Sequence, residues 1–180
     1  MKKIMVIVLM LPFYLGSSAQ TKKVEDIFSK YQNMNGVISI NVARPMFALL
    51  NKLEINTSEK TINNLKGMLK GINSLKLLAV ENALWKELPK ELAVEKLPAE
   101  KFKQLTAEIN LAVAEVNYME LITVNAKGRS LKFLTAKSDG TVIDNLLLSI
   151  TSETEGNLLL FLDGKIAMED VNKFIAAEND

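Results

Sequence analysis

Two leucine-rich runs constrain this chain most: DNLLLSI at 144–150 and NLLLFLD at 157–163. Each is seven residues long. A helix that crosses a bilayer needs roughly 20 apolar residues, whereas seven suits a strand. The linker TSETEG (151–156) is polar and ends in glycine. The two runs are therefore predicted to form an antiparallel hairpin, with Asp163-Gly164 turning the chain out of it.

Strand alternation sorts the hairpin into two faces. Leu146, Leu148 and Ile150 join Leu158, Leu160 and Leu162 on a wholly apolar face, which is expected under helices. Leu147, Leu159 and Phe161 lie on the other face, beside Ser149, Thr151 and Asp163. That partly apolar face also needs cover. The candidates are the Trp85 segment, the N-terminal helix, a second subunit or an apolar ligand. Trp85, Leu147, Leu159 and Phe161 are thus the candidate interaction surface. Burial within the chain's own core is the commoner role for such residues.

The rest of the chain alternates helix and strand signals. Val24, Ile27, Phe28 and Tyr31 share one helical face, and VISINV (37–42) alternates as a half-buried strand. Pro45 suits the first turn of a helix. A second helix is expected from Asn56 through Ile72, with Gly71 as its stop, followed by a strand at 74–80. Residues 81–97 form an irregular amphipathic segment around Trp85 and Pro89. Pro98 opens a helix whose face carries Phe102, Leu105, Ile109, Val113 and Val116. Strands at 118–124 and 131–136 precede the leucine hairpin, and a helix with Met168, Val171, Phe174 and Ile175 closes the chain. Strands cluster late while helices separate the early ones. The expected fold is α+β: one domain over 20–180, with a mixed or antiparallel sheet of about six strands and helices mainly on one face.

The N-terminus reads as an export signal. Met1-Lys2-Lys3 is basic, residues 4–15 are apolar, and Ser17 and Ala19 are small. The expected signal peptide is 1–19, with cleavage between Ala19 and Gln20, and no membrane span is expected after cleavage. The remaining chain carries 20 basic and 21 acidic residues, which gives no case for nucleic-acid binding. A cysteine-free exported chain fits a bacterial periplasm better than an animal secretion.

The residue types missing from the chain narrow its chemistry. With no His and no Cys, there is no imidazole base, no thiol nucleophile and no thiolate or imidazole metal ligand. The G-x-S-x-G turn and glycine-rich phosphate loops are also missing. Asp139-Gly140 and Asp163-Gly164 lack the ligand spacing of a calcium loop and read as turns. Glu153 and Glu155 read as solvated charges. Arg44 precedes Pro45 at a strand-to-helix junction and is expected to pair with an acid or face water. No catalytic residue, cofactor or metal is expected.

The segments VEDIFSKY, VISINVARPMFALL, GINSLKLLAV, YMELITV and LLLSITSETEGNLLLFLDGKIAMEDVNKF occur in that order and span most of the chain after Ala19. In this order they resemble the DUF4252 family. The resemblance implies an exported protein of Bacteroidetes with no assigned activity, periplasmic or in some members lipid-anchored. Some members look linked to extracytoplasmic sigma-factor systems, which implies a part in envelope signalling. This chain lacks the cysteine of the lipid-anchored members. The expected function is a non-catalytic periplasmic binding or interaction module acting in envelope stress signalling, with an envelope protein or a second copy as partner. The alternatives are an apolar-ligand carrier and a carboxylate-dependent hydrolase.

Overall fold

The computed structural model describes residues 15–47, 70–80, 97–152, 156–170 and 172, with side chains from Gln20 onward. Trp85, Glu153 and Glu155 lie outside these residues, as do most of the helix expected from Asn56 and the irregular segment before Leu97. The elements in order are α1 (Leu15–Tyr31), β1 (Val37–Ala43), β2 (Ile72–Val80), α2 (Ala99–Ala114), β3 (Met119–Ala126), β4 (Arg129–Ser138), β5 (Val142–Ser152) and β6 (Gly156–Ala167).

The six strands make one open sheet in the order β1-β2-β6-β5-β4-β3, and every pairing is antiparallel. β3 to β6 form a meander that runs from one edge inward, so β6 meets β2 at the centre. The expected α+β sheet is thus wholly antiparallel. The leucine hairpin is its middle, with Leu147 opposite Phe161 and Leu148 opposite Leu160.

α1 and α2 pack on the same face. Val24, Ile27, Phe28 and Tyr31 of α1 and Phe102, Leu105, Ile109 and Val113 of α2 are all buried, as their 3.6-residue spacing predicts. Beneath them lie Val37, Leu78, Val80, Leu134, Leu147, Leu159 and Phe161. The Phe28 and Phe161 rings meet in a tilted contact with centroids 6.3 Å apart. α1 and α2 therefore cover the Leu147 face, for which the N-terminal helix was one of the expected covers, and not the Leu146 face, where helices were expected. The physical reason lies in the neighbouring strands. Cross-strand partners complete each face. Val37, Leu78, Val80 and Leu134 extend Leu147, Leu159 and Phe161 into an apolar patch broad enough for both helices, although Ser149, Thr151 and Lys132 keep this face the more polar of the two.

The opposite face is apolar too. Phe47, Ile72, Ile143, Leu146, Leu162 and Ile166 are buried there, with Val42, Leu75, Phe133, Leu160 and Met168 partly buried against them. In β1, Val37 enters the helix-covered core while Ile40 stays exposed.

Two expected boundaries move. Ile72 opens β2 rather than ending a helix, and it is buried in the second cluster. Asp163-Gly164 is not a turn, because β6 runs through it to Ala167. Gly164 has φ +141°, and a Cβ there would lie 2.3 Å from the Gly71 carbonyl oxygen. The Lys165 N–H donates to that same oxygen at 3.0 Å. A glycine inside a strand often marks such a close backbone approach. On β5, Asn145 sits at a bulge with φ +59°. Its side chain accepts from the Gly164 N–H at 2.9 Å and donates to the Thr21 hydroxyl at 3.0 Å, tying α1 to the sheet. The tie to the body is repeated where Gln20 donates to the Asn117 carbonyl and Lys23 to the Glu115 carbonyl, both at 3.1 Å.

Candidate functional site: a polar groove beside α2

The stripe of α2 that holds Ile109 packs tightly on the sheet. Between Ile109, Leu78 and Leu159 there is no room for a water molecule. The next stripe of the helix, Thr106, Asn110 and Ala114, overhangs the strands beyond. Its floor is β4 and β5, and its outer border is β3. One hollow of about 520 Å³ runs between Asn110 and Val113 on the wall and Lys132, Leu134 and Ser149 on the floor. A second of about 530 Å³ runs from Thr106 to the β3–β4 hairpin at Lys127-Gly128-Arg129. The two share Asn110, Ser130 and Thr151, so they form one groove along β4. From Leu134 to Arg129 that is five strand steps, about 17 Å.

The lining is mostly neutral and hydrogen-bonding. Asn110, Asn117, Asn125, Ser130, Ser149 and Thr151 offer amides and hydroxyls. Glu120 is the groove's carboxylate. Lys132 lies 3.9 Å from it, and the Thr123 hydroxyl donates to it. Both members of the ion pair are about half exposed, so it contributes little to stability and remains available to a ligand. The Thr106 hydroxyl oxygen is buried without a hydrogen-bond partner among the described residues. Buried polar atoms are normally satisfied, so a ligand or water in the groove is the natural partner for this one. At the other end, burial pushes the Tyr118 phenol above its usual range, and the nearby Thr21 and Asn145 offset this only in part.

This arrangement can recognise a polar, extended ligand through hydrogen bonds. Glycoside cleavage by paired acids needs two carboxyls across a cleft, and Glu120 has no carboxylate partner among the lining residues. Among the described residues there is no group of three acidic side chains that could hold a metal. No described helix is long and apolar enough to cross a membrane.

The sequence-derived surface residues do not gather here. Leu147, Leu159 and Phe161 are at most 2% exposed under α1 and α2, and Trp85 is outside the described residues. Arg44 is exposed just after β1. The groove's wall was missed because α2 reads as a simple core-facing helix. Its floor left a signal, since Ser149 and Thr151 follow Leu147 on one face.

Residues 31–174 match the family model described as a domain of unknown function, DUF4252. No curated protein and no solved structure matches the chain.

Proposed function

The chain belongs to the DUF4252 family, and we propose that it works in the bacterial periplasm as a non-catalytic module that binds a polar, extended partner in the groove beside α2. The observation that carries this reading is the groove itself: about 17 Å of mostly neutral hydrogen-bonding side chains, with one Glu–Lys pair and with Lys127 and Arg129 at the hairpin end. The signal-like N-terminus supports export, and the lack of His and Cys supports binding over chemistry. Envelope stress signalling is the process we add, and it rests on the resemblance described above.

The test is capture by crosslinking from the periplasm of the native host, run with the wild type and with Asn110→Trp. Asn110 is exposed on the groove wall, so the indole fills the groove without disturbing the core. A partner recovered with the wild type and lost with the variant supports the proposal. Turnover on a hydrolase substrate panel that Glu120→Gln abolishes would sink it.

A second reading, the apolar-ligand carrier, draws on the face opposite the helices. Leu75, Leu77, Leu148, Leu158 and Leu160 are only half-buried there. Native mass spectrometry of protein taken from its host tests this reading; a bare polypeptide mass counts against it.

A further inference from the structure

β3 closes one edge of the sheet. Its inner side pairs with β4, and among the described residues its outer side pairs with no strand. Free edges are templates for another strand, and natural proteins blunt them with lysine, proline, charge or bulges. β3 has a bulge between Glu120 and Ile122, but beyond it Ile122 to Ala126 runs in regular register against Phe133 to Arg129. That stretch, ITVNA, contains no charge and no proline. Ile122 and Val124 are 37% and 51% exposed on the apolar face, opposite Phe133 and Leu131. Thr123 and Asn125 lie on the groove face, opposite Lys132 and Ser130. The other edge, β1, is followed at once by Arg44-Pro45.

We infer that β3 pairs antiparallel with β3 of a second copy across a two-fold axis. The strand's own alternation admits this occupant, and closure selects it: β1, whose Ile38-Ser39-Ile40-Asn41 alternates alike, would pair with β3 head to tail and leave edges open. An added strand must set aliphatic side chains beside Ile122 and Val124, and small polar ones beside Thr123 and Asn125. ITVNA is itself such a strand. With the axis at Thr123, Ile122 meets Val124 of the partner subunit. With the axis at Val124, Thr123 meets Asn125 of the partner subunit. Both registers match apolar to apolar and polar to polar, and a slip by one residue breaks the match. A two-fold contact of this kind is self-complementary and closes at the dimer. It also brings the two grooves together, because Glu120 and Asn125 form each groove's outer border. The dimer is then a bivalent surface. The inference stands on the edge strand alone and does not depend on what the groove binds.

The absence of cysteine makes the test clean. Thr123→Cys and Val124→Cys each give one thiol per chain. A residue on the axis faces its own copy at roughly 5 Å between Cα atoms, within disulfide reach. One of the two variants is expected to form a disulfide dimer on mild oxidation, while Lys103→Cys on the exposed side of α2 stays monomeric. Sedimentation velocity of the wild type should show a dimer at micromolar concentration, and Ile122→Lys should shift it to monomer with an unchanged circular dichroism spectrum. A monomeric wild type overturns the inference. So does equal crosslinking at Lys103→Cys, or crosslinking through Ile40→Cys on β1 in place of β3.

Discussion

Leu147 and Leu148 are adjacent on β5 and face opposite ways, so truncating each in turn tests which face carries the main core. Leu147 has 0% exposure beneath the helices, and Leu148 is half-buried on the other face. Leucine to alanine removes three carbons, worth about 0.8 kcal/mol each on transfer from water, or about 2.4 kcal/mol when burial is complete. At Leu147 the layers above and below are fixed by two helices and the central strands, so a cavity persists and adds about 1 kcal/mol. Leu147→Ala should therefore cost about 3.5 kcal/mol. At Leu148, which is partly exposed, about three-quarters of the transfer term applies and the open side can relax, giving about 1.8 kcal/mol. With a urea dependence of about 2 kcal/mol/M, the unfolding midpoint should fall by about 1.7 M for Leu147→Ala and about 0.9 M for Leu148→Ala. Fluorescence and circular dichroism should report coincident transitions with unchanged slopes. Equal shifts, or a larger shift for Leu148→Ala, would refute the assignment of the helix-covered face.

Gly164→Ala should destabilise the protein by about 3 kcal/mol or more in the same urea assay, because φ is +141° and the new Cβ would strike the Gly71 carbonyl. Asn145→Ala loses both side-chain hydrogen bonds and the left-handed conformation, at about 2 kcal/mol. Asn145→Gly should recover only the backbone part, and a full recovery would show that the ties to Thr21 and Gly164 contribute nothing. Asp139 accepts from the Val142 and Thr141 N–H groups and from the Thr141 hydroxyl, which lowers its pKa to about 2. A depressed carboxylate stabilises the fold above its unfolded pKa, and that contribution fades as pH falls from about 4 to about 2. Asp139→Ala should flatten the melting temperature across that window, and an unchanged acid slope would count against the turn's role.

The elements legible in the sequence were those fixed by local periodicity. The stripes Val24-Ile27-Phe28-Tyr31 and Phe102-Leu105-Ile109-Val113 are buried as read. The leucine hairpin stands at the centre of the sheet. What failed depended on distant partners. Which leucine face meets the helices is decided by Leu78, Val80 and Leu134 on other strands, and no count within the hairpin contains them. Gly164 looks like a turn residue until Gly71 is brought against it from 93 positions away. Asn145 reads as an ordinary strand residue, yet it makes a bulge because β5 and β6 slip register there. The groove was half legible. Ser149 and Thr151 announced a polar end to the Leu147 face, but only the hollows between α2 and the strands show that the helix stops short of covering it.

That shortfall is geometric. Six strands about 4.8 Å apart make a sheet about 24 Å wide, and two helices about 10 Å across cover about 20 Å of it. Among the described residues a strip at the β3–β4 side is left beside α2, and its side chains could be of either of two kinds. Apolar side chains there would invite collapse or aggregation. Hydroxyls and amides would leave a groove. Positions 130, 149 and 151 are Ser, Ser and Thr, at the same sheet depth as Leu134, Leu147 and Leu159. Ser149 is 5% exposed, so solubility alone does not ask for a hydroxyl at that position. Valine would pack there with less desolvation cost. A buried hydroxyl where core packing favours an aliphatic residue, in the same groove as a Thr106 hydroxyl that has no partner among the described residues, is the arrangement expected of a surface built to meet a hydrogen-bonding partner, and it is the physical reason to place the function in this strip.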